Sequence, residues 1–374
     1  MKKVFFICAV LALVIVAGAA GYKTFFAGPA SDKTEIPQPE NNFVWGVNTS
    51  CYNIDGYTAK TAAKAVSTID NLGVNTVRVF LERVLTLQPF SVNYDQASND
   101  DFIDRLVEDK KDIVLIIDGD IINSAKISNF NQEAAGYQMG AYAAKRYKGK
   151  VKYYQLANEV TGTAVKPEDA NFHGETFTDS FGFQFSTDRY RSIFGWLKGM
   201  QRGIRENDPD AKIVISGHWI LYSVIDKLIA DGINPDIIGW AWYSDDGMDI
   251  TARQADQSSQ PINLAAKLKS YGLPVWIIET NSKYGSYNEH TDTQDEDYQA
   301  NFLKNFIPKI IATDQIDGVF VYTLFDMPSS VDNRPENQAH WGLIGVSKNS
   351  DGTVTFKPKG AYSVLADLIK RYSN

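Results

Sequence analysis

Two glutamates follow apolar runs of this sequence, and paired carboxyl groups can supply both an acid and a nucleophile. Glu159 ends the run "VKYYQLANE" and Glu279 lies near the end of "PVWIIETN". One carboxyl group can protonate a departing oxygen while the other attacks the carbon that this oxygen leaves, as the cleavage of a glycosidic bond requires. A single glutamate at a strand end is by default a surface charge. The chemical interpretation therefore depends on a fold that brings Glu159 and Glu279 together.

Short apolar runs recur from Phe43 to the end of the chain and are rich in Val, Ile and aromatic residues. Runs that are apolar at nearly every position are typical of strands buried on both faces, as in parallel sheets. These runs predict eight strands, at 43–50, 74–82, 112–120, 151–159, 212–219, 236–244, 274–281 and 318–326.

The segments between the runs have the periodicity of helices. In 58–73, Ala62, Ala65 and Ile69 fall on one face, which is the pattern of a helix packed on a sheet. Asp188 and Thr293 are the expected N-caps of two further helices. The remaining helical patterns occupy 188–208, 293–313 and 359–372.

Eight strand–helix units predict an α/β fold, the (β/α)8 or TIM barrel, as a single catalytic domain over residues 43–374. An open, doubly wound sheet is the alternative. That fold usually carries a Gly-rich phosphate loop after an early strand, and none of the eight runs is followed by one. The absence of this loop favours the barrel.

A barrel of this kind places its active site at the C-terminal ends of its strands. The residues there include carboxylates for the reaction, amides for hydroxyl groups and flat rings for the face of a sugar. Asp118 and Asp120 at the third strand either shape a loop or contact substrate. Besides the two glutamates, the candidate site residues at these ends are Arg78, Asn158, His218, Trp219, Trp242, Tyr243 and Tyr322.

Three of these candidates depend on local geometry. Arg78 can pair with Glu82 as a structural ion pair, or with Glu279 inside the site. Trp242 and Tyr243 are adjacent, so an ideal strand would point them to opposite faces. A β-bulge would be needed to bring both into one site.

"QLANEV" and "WIIETN" resemble the catalytic strands of clan A glycoside hydrolases, which are (β/α)8 barrels with an Asn-Glu acid/base on strand four and a nucleophilic Glu on strand seven. The resemblance implies that Glu159 is the acid/base, that Asn158 can bind the sugar 2-hydroxyl and that Glu279 is the nucleophile. "VRVFLE" places Arg78 at the arginine common on strand two of these enzymes. "WAWYS" places Tyr243 where many of them have a tyrosine near the nucleophile.

The resemblance covers residues 43–374, including the tail "HWGLIGVSKNSDGTVTFKPKGAYSVLADLI". It departs at strand eight, where many members have a Trp beneath the catalytic subsite. Here "VYTLFD" puts Tyr322 nearest that position, and Trp341 in the following loop can substitute. The resemblance implies a retaining glycosidase that cleaves O-glycosidic bonds, β-linked, and it implies no cofactor. The expected substrate is an extracellular or envelope polysaccharide, because the N-terminal segment described below predicts export.

Two other functions are compatible with the same residues. A non-catalytic glycan-binding barrel would keep the fold without turnover, although the presence of both glutamates argues against it. A membrane-associated transglycosylase would transfer the sugar to another sugar, and products that contain sugar acceptors would identify it. Neither the sugar nor endo or exo cleavage follows from the sequence.

Composition and the N-terminus bound the partners and the location. A net charge of −8 offers no attraction to nucleic acid. Residues 1–26, with Lys2 and Lys3 before the apolar run 4–20, predict a signal peptide or N-terminal membrane anchor. Residues 27–42 predict a linker. We expect the remainder to be exported, as a secreted, periplasmic or outward-facing anchored domain.

Cysteine and histidine add no second chemistry. Cys51 is the single cysteine beyond the targeting segment, so the exported domain has no internal disulfide. The insertion after the fourth strand, 161–187, is expected to form a lid or cleft wall. No metal site is predicted, because the four histidines lack short ligand spacing: His173, His218, His290 and His340.

Overall fold

A computed structural model of the chain separates it into two units, 1–37 and 38–374, and every described residue lies in the second. The predicted targeting segment, Cys51 and most of the insertion 161–187 lie outside the described residues. The structure describes residues 42–50, 59–81, 84–94, 97–165, 185–254, 260–288, 290–327 and 336–373.

Strands and helices alternate along these residues. The strands are β1 (Val44–Ser50), β2 (Thr76–Phe80), β3 (Val84–Leu87), β4 (Phe90–Asn93), β5 (Asp112–Ile117), β6 (Tyr153–Leu156), β7 (Lys212–His218), β8 (Ile237–Tyr243), β9 (Val275–Asn281), β10 (Tyr287–Asn288), β11 (Thr293–Gln294), β12 (Gly318–Val321), β13 (Ile344–Lys348) and β14 (Val354–Pro358). The α-helices are α1 (Ala59–Leu72), α2 (Ala97–Glu108), α3 (Ile121–Ser124), α4 (Gln132–Tyr147), α5 (Val160–Thr163), α6 (Thr187–Asn207), α7 (Tyr222–Ala230), α8 (Leu264–Lys269), α9 (Glu296–Ile311) and α10 (Gly360–Tyr372).

The eight predicted runs form one closed barrel. Its strands follow the order β1-β2-β5-β6-β7-β8-β9-β12, and β12 closes the ring by pairing in parallel with β1. The neighbouring pairs around the ring are parallel. The predicted (β/α)8 barrel is therefore confirmed. Three antiparallel hairpins, β3–β4, β10–β11 and β13–β14, stand outside the ring.

The strands are apolar at successive positions because both of their faces are covered. A small cluster that includes Val114, Val214, Ile278 and Phe320 comes from β5, β7, β9 and β12 and fills the inside of the barrel. Intervening residues, such as Ile277, belong to the larger cluster between the strands and the helices. Burial on both faces explains the near-continuous runs in the sequence.

Two helices begin at capping residues other than those predicted. The hydroxyl of Ser186 accepts the backbone N–H three residues on and caps α6, so Asp188 lies inside that helix. The carboxylate of Asp295 caps α9 in the same way, and Thr293 pairs within β11 instead. The expected caps Asp188 and Thr293 were therefore wrong. In each case a neighbouring side chain satisfies the free N–H group of the first turn.

Helices α4 and α6 pack at unusually close range. A Cβ atom added at Gly136 would lie 2.2 Å from the carbonyl oxygen of Trp196, and one at Gly199 would lie 2.1 Å from that of Glu133. Only glycine allows the two backbones to approach in this way. The contact holds α6, and with it the side chain of Trp196, firmly against α4.

The interior of the barrel tolerates no additional volume at Gly46 on β1. A Cβ atom there would lie 2.1 Å from Cδ1 of Phe320. We expect Gly46→Ala to lower the free energy of unfolding by about 1–3 kcal/mol, because the buried ring must move off its preferred rotamer. Chemical denaturation measures this. Gly360→Ala is the control, since its Cβ would lie an ordinary 3.7 Å from Ala300; equal losses in both variants would contradict the packing argument.

Candidate active site

Four side chains meet at the C-terminal end of the barrel. Arg78 lies on β2, Tyr243 ends β8, Glu279 lies near the end of β9, and Glu159 follows β6 by three residues. Strands that are far apart in the chain deliver these groups to one end of the ring because all eight run in the same direction.

The guanidinium of Arg78 is fully buried and connects this end of the barrel. Its Nη1 donates to Oε1 of Glu279 at 2.6 Å and also to Asn48. Its Nη2 donates to Oδ1 of Asn158 at 2.6 Å, and its Nε donates to Oε1 of Gln155 at 2.7 Å. A buried charge requires such compensation. Of the two predicted partners of Arg78, the structure shows Glu279, inside the site.

Glu279 receives a hydrogen bond on each carboxylate oxygen. Oε1 accepts from Arg78, and Oε2 accepts from the hydroxyl of Tyr243 at 2.9 Å. Burial, followed by the charge of Glu279, holds the pKa of Tyr243 well above its usual range, so this hydroxyl keeps its proton and acts as a donor. The two donors fix the carboxylate from opposite sides and stabilise its charge.

A bulge in β9 turns Glu279 toward the site. Ile277 pairs with Trp240 of β8, but the next β8 residue, Ala241, pairs with Glu279, so Ile278 is an extra residue. The pairing with β12 shifts at the same place. Ile278 faces the inside of the barrel, and strict alternation would point Glu279 toward the helices. The bulge places Glu279 against Arg78 instead, as bulges beside active sites often do.

Glu159 is held by an unusual backbone. Its φ is 43° and that of Ala157 is 56°, both in the left-handed region that side chains other than glycine rarely adopt. The N–H of Glu159 donates to the hydroxyl of Ser216 on β7 at 3.0 Å, which secures the turn. Such strain persists only where neighbours enforce it, and it is common at functional sites.

The carboxyl group of Glu159 is suited to hold a proton at neutral pH. Burial is the largest cause, and the charges of Glu279 and Asp246 add to it, so that the pKa of Glu159 rises to about 8 despite the opposing charge of Arg78. The environments of Glu159 and Glu279 thus differ: that of Glu159 favours the protonated carboxyl group, and that of Glu279 supplies a hydrogen-bond donor to each oxygen.

Asp246 is a site residue that the sequence analysis missed. Its Oδ2 accepts the N–H of Tyr243 at 2.8 Å and holds the turn that follows β8. Burial and then the charge of Asp245 raise the pKa of Asp246 to about 7. The run "YSDDG" carried a turn signal after a strand, which could have pointed to a carboxylate next to the site.

Three further polar residues near the site were not among the predicted site residues: Gln155, Asn48 and Ser216. Gln155 accepts from Arg78 and donates to the hydroxyl of Ser216 at 2.9 Å, while Asn48 donates to the carbonyls of Ile278 and Val321. Polar residues at inward positions of otherwise apolar strands were the available signal. Gln155 and Asn48 complete the hydrogen bonds of the buried arginine, and Ser216 accepts a hydrogen bond from Gln155.

Tyr322 and Trp341 lie together on the rim. Their rings contact edge to face with centroids 5.5 Å apart, and the ring of Phe80 lies 6.3 Å from that of Tyr322. The side chain of Asn281 donates to the backbone carbonyls of both Tyr322 and Trp341. The indole N–H of Trp341 donates to the backbone carbonyl of Lys283. β9 therefore positions both aromatic residues, as the end of the same strand positions Glu279.

Trp242 does not reach the site. It is fully buried in the apolar core on the helix side of the barrel, and its indole N–H donates to the carbonyl of Gly247 at 2.8 Å. The expectation that Trp242 binds substrate is therefore corrected. The bulge that redirects Glu279 lies in β9, so β8 keeps its alternation, and Tyr243 alone faces the site.

His218 ends β7 and Trp219 follows it, and both side chains contact other residues. Burial lowers the pKa of His218 to about 4, and its Nδ1 lies 3.2 Å from the hydroxyl of Thr161. The guanidinium of Arg253 stacks 4.3 Å from the ring centroid of Trp219. His218 is thus a neutral, positioned imidazole, and one face of Trp219 is covered by protein. Their binding of a substrate stays a prediction.

Other predicted features divide between the described and the undescribed parts of the chain. Asp120 caps α3 by accepting the N–H of Asn123 at 3.2 Å, which supports the loop-forming alternative. Glu82 lies outside the described residues.

Within the described part, no cluster of His, Cys, Asp or Glu could hold a metal ion. No helix in that part is long and apolar enough to cross a membrane.

Comparison with known proteins supports the assignment of the fold. No family profile and no curated protein matches this sequence. A family 1 β-glucosidase from Thermotoga maritima aligns with a TM-score of 0.61 at 14% identity, over 90% of this chain and 99% of that one. A β-glycosidase, BGL167, aligns with a TM-score of 0.56 at 15% identity, over 90% and 98%. This chain is a (β/α)8 barrel. At such identities the similarity is one of fold.

The proximity of Glu279 makes the ionisation of Glu159 testable. We expect Glu279→Gln to lower the pKa of Glu159 from about 8, because it removes a negative charge that opposes ionisation. The measurement is carboxyl 13C NMR of protein labelled in glutamate, with Glu159→Gln used to assign the resonance. Glu108→Gln, on exposed α2, is the matched control. An unchanged pKa in Glu279→Gln would show that the two carboxyl groups do not interact.

Proposed function

We propose that the chain is a retaining glycoside hydrolase that cleaves O-glycosidic bonds, β-linked, in an extracellular or envelope polysaccharide. The observation that carries this proposal is the pairing of two differently held carboxyl groups. Glu279 is a carboxylate fixed by Arg78 and Tyr243, and Glu159, at the same end of the barrel, keeps a proton at neutral pH. This division of roles is what double displacement at a sugar requires.

In the first step, an oxygen of Glu279 attacks the anomeric carbon while Glu159 gives its proton to the glycosidic oxygen. The bond to the leaving sugar breaks, and an ester forms between Glu279 and the retained sugar. Arg78 and Tyr243 hold the attacking carboxylate in place. Asn158, whose Oδ1 is bound by Arg78, can present its amide N–H to the sugar 2-hydroxyl.

In the second step, water replaces the leaving sugar. The ester has neutralised Glu279, so the repulsion that raised the pKa of Glu159 is removed and Glu159, having given up its proton, stays ionised and can accept one. Glu159 takes a proton from the water as its oxygen attacks the anomeric carbon. The ester bond breaks, Glu279 is released as a carboxylate, and the sugar leaves with its original configuration.

The class of substrate rests on the rim and on the neighbours. Tyr322 and Trp341 supply aromatic surface beside the carboxyl groups, which suits the C–H face of a sugar. Solved proteins of similar fold include β-glucosidases, and one of these is in complex with cyclophellitol. These similarities support a β-linked sugar. The apolar run 4–20 after Lys2 and Lys3 supports export, and hence a substrate outside the cytoplasm.

The catalytic assignment is tested by hydrolysis of a panel of polysaccharides, oligosaccharides and aryl glycosides. We expect Glu159→Gln and Glu279→Gln each to lower kcat/KM for natural substrates by about 10³-fold or more, because each removes a group that acts in the transition state. Azide should restore turnover of activated aryl glycosides to Glu159→Ala, since these need no proton donor. 1H NMR of the first product should show the configuration of the substrate.

The outcomes separate this proposal from its alternatives. Inversion of configuration would overturn retention. Binding of a glycan without turnover, unchanged in both glutamine variants, would support the binding barrel instead. Tyr137→Phe, on α4, is the control for general effects of substitution, because its hydroxyl donates to the surface residue Glu206 and Tyr137 is not part of the candidate site.

Glu159 is expected to set the upper limit of the pH profile, and Asp246 is expected to shift that limit. The rate of the first step should fall as the pH rises through about 8, because Glu159 then loses the proton it must donate. Asp246→Asn removes a charge that raises this pKa, so the falling limb should move to lower pH. The measurement is kcat/KM against pH. Asp210→Asn, on an exposed turn, should leave the limb in place; an equal shift there would contradict the assignment.

A further inference from the structure

A groove of about 260 Å³ lies between two loops on the same end of the barrel as Arg78 and Glu279. One wall is the β3–β4 hairpin, which follows β2, and the other is the segment 127–131 with the first turns of α4, which follow β5. β2 and β5 are neighbours in the ring. The catalytic residues described above do not line this groove.

The floor of the groove is a rigid aromatic cluster. The rings of Phe130 and Trp196 stack with centroids 6.0 Å apart, and Phe90 meets both edge to face at 6.0 and 5.8 Å. Trp196 is fully buried and donates its indole N–H to Ser124, and the close approach of α4 and α6 holds it from below. Phe90 and Phe130 are half-buried, so they present fixed apolar surface to the groove.

The rim of the groove is polar and uncharged. Gln88, Asn129 and Gln138 line it, are exposed, and make no side-chain hydrogen bond to any described residue. The Oδ1 of Asn131 accepts the backbone N–H of Ala134 in the first turn of α4, which leaves the side-chain amide N–H groups of Asn131 available. None of the described residues that line the groove carries a charge. Amide groups offer both donors and acceptors, which is what a hydroxyl-rich ligand needs.

These features exclude some ligands and favour one. A phosphate, a nucleic acid or an acidic sugar would be held most strongly beside a cation, and the described lining has none. A purely apolar ligand would leave the amides of the rim without partners. A sugar ring has an apolar C–H face for the aromatic floor and hydroxyl groups for the amides. We propose that this groove binds a sugar ring of a neutral glycan chain, outside the catalytic centre.

The consequence concerns the length of the substrate. A second binding place on the same end of the barrel, formed by the loops after β2 and β5, would engage a polymer but not a short glycoside. The protein would then act on a neutral polysaccharide and hold it at two places at once. The inference rests on the proposed function for the class of ligand.

The test uses the full chain in the Glu159→Gln background and native affinity electrophoresis through gels that contain neutral polysaccharides. Asn129→Gly with Gln138→Ala removes two amides, and glycine suits the φ of 59° at position 129. We expect about fivefold or greater loss of affinity for the retarding polysaccharide, the size expected for two lost hydrogen bonds. Ala134→Trp, at an exposed lining position, should fill the groove and have the same effect.

A matched control and a second readout complete the design. Asn301→Ala lies on the exposed face of α9, whose strand is opposite β5 in the ring, and should not change the affinity. In the active protein, the groove variants should keep kcat/KM for short glycosides within about twofold while KM for the polymer rises by the same factor as the affinity falls.

Each outcome decides a separate question. Equal retardation of the groove variants and the parent would overturn the inference, as would retardation only by acidic polysaccharides or by none. Turnover of short glycosides that is lost in Glu279→Gln would in those cases still support the proposed function. Conversely, retardation that depends on the groove, in a protein that hydrolyses nothing, would support the groove and overturn the catalytic proposal.

Discussion

The buried positive charge of Arg78 is the constraint on which this end of the barrel depends. A guanidinium with no exposure to water needs acceptors for its N–H groups, and the fold supplies them from β1, β6, the turn after β6 and β9. Removing one partner would leave an unpaired buried charge, which is strongly destabilising. The same network fixes Asn158 and one oxygen of Glu279. The arrangement that stabilises the charge is therefore also the arrangement that positions the reactive groups.

Local departures from regular geometry place the remaining groups. The extra residue in β9 turns Glu279 out of the alternation of its strand, and the left-handed residues Ala157 and Glu159 turn the chain sharply after β6. Each departure is held by a neighbour: Ser216 binds the N–H of Glu159, and Tyr243 with Arg78 binds the side chain of Glu279. Regular strands provide the frame, and these irregular points aim side chains at a common centre.

Electrostatics then gives two chemically identical side chains different states. Glu279 sits between a cation and a hydroxyl donor, whereas burial and the charges of Glu279 and Asp246 oppose the ionisation of Glu159. The raised pKa of Glu159 depends in part on the negative charge of Glu279, so the two carboxyl groups do not ionise independently. A reaction that neutralises Glu279 would change the proton affinity of Glu159 without any movement of the backbone. The groove beside β2 and β5 contains no charges among its described lining residues, and its proposed role is binding alone.

The sequence by itself determined the eight strands and their alternation with helices, because strands that are buried on both faces are apolar at nearly every position. It also singled out the two glutamates, because polar residues at the ends of apolar runs are conspicuous. It named Arg78 and Tyr243 as well. It did not reveal that Trp242 faces the helices, that the charge of Asp246 acts on Glu159, or that Gln155 and Asn48 share one arginine. Those relations join residues distant in the chain or turn on one extra residue in β9. Only the closed barrel, with its register and its bulge, decides which side chains meet.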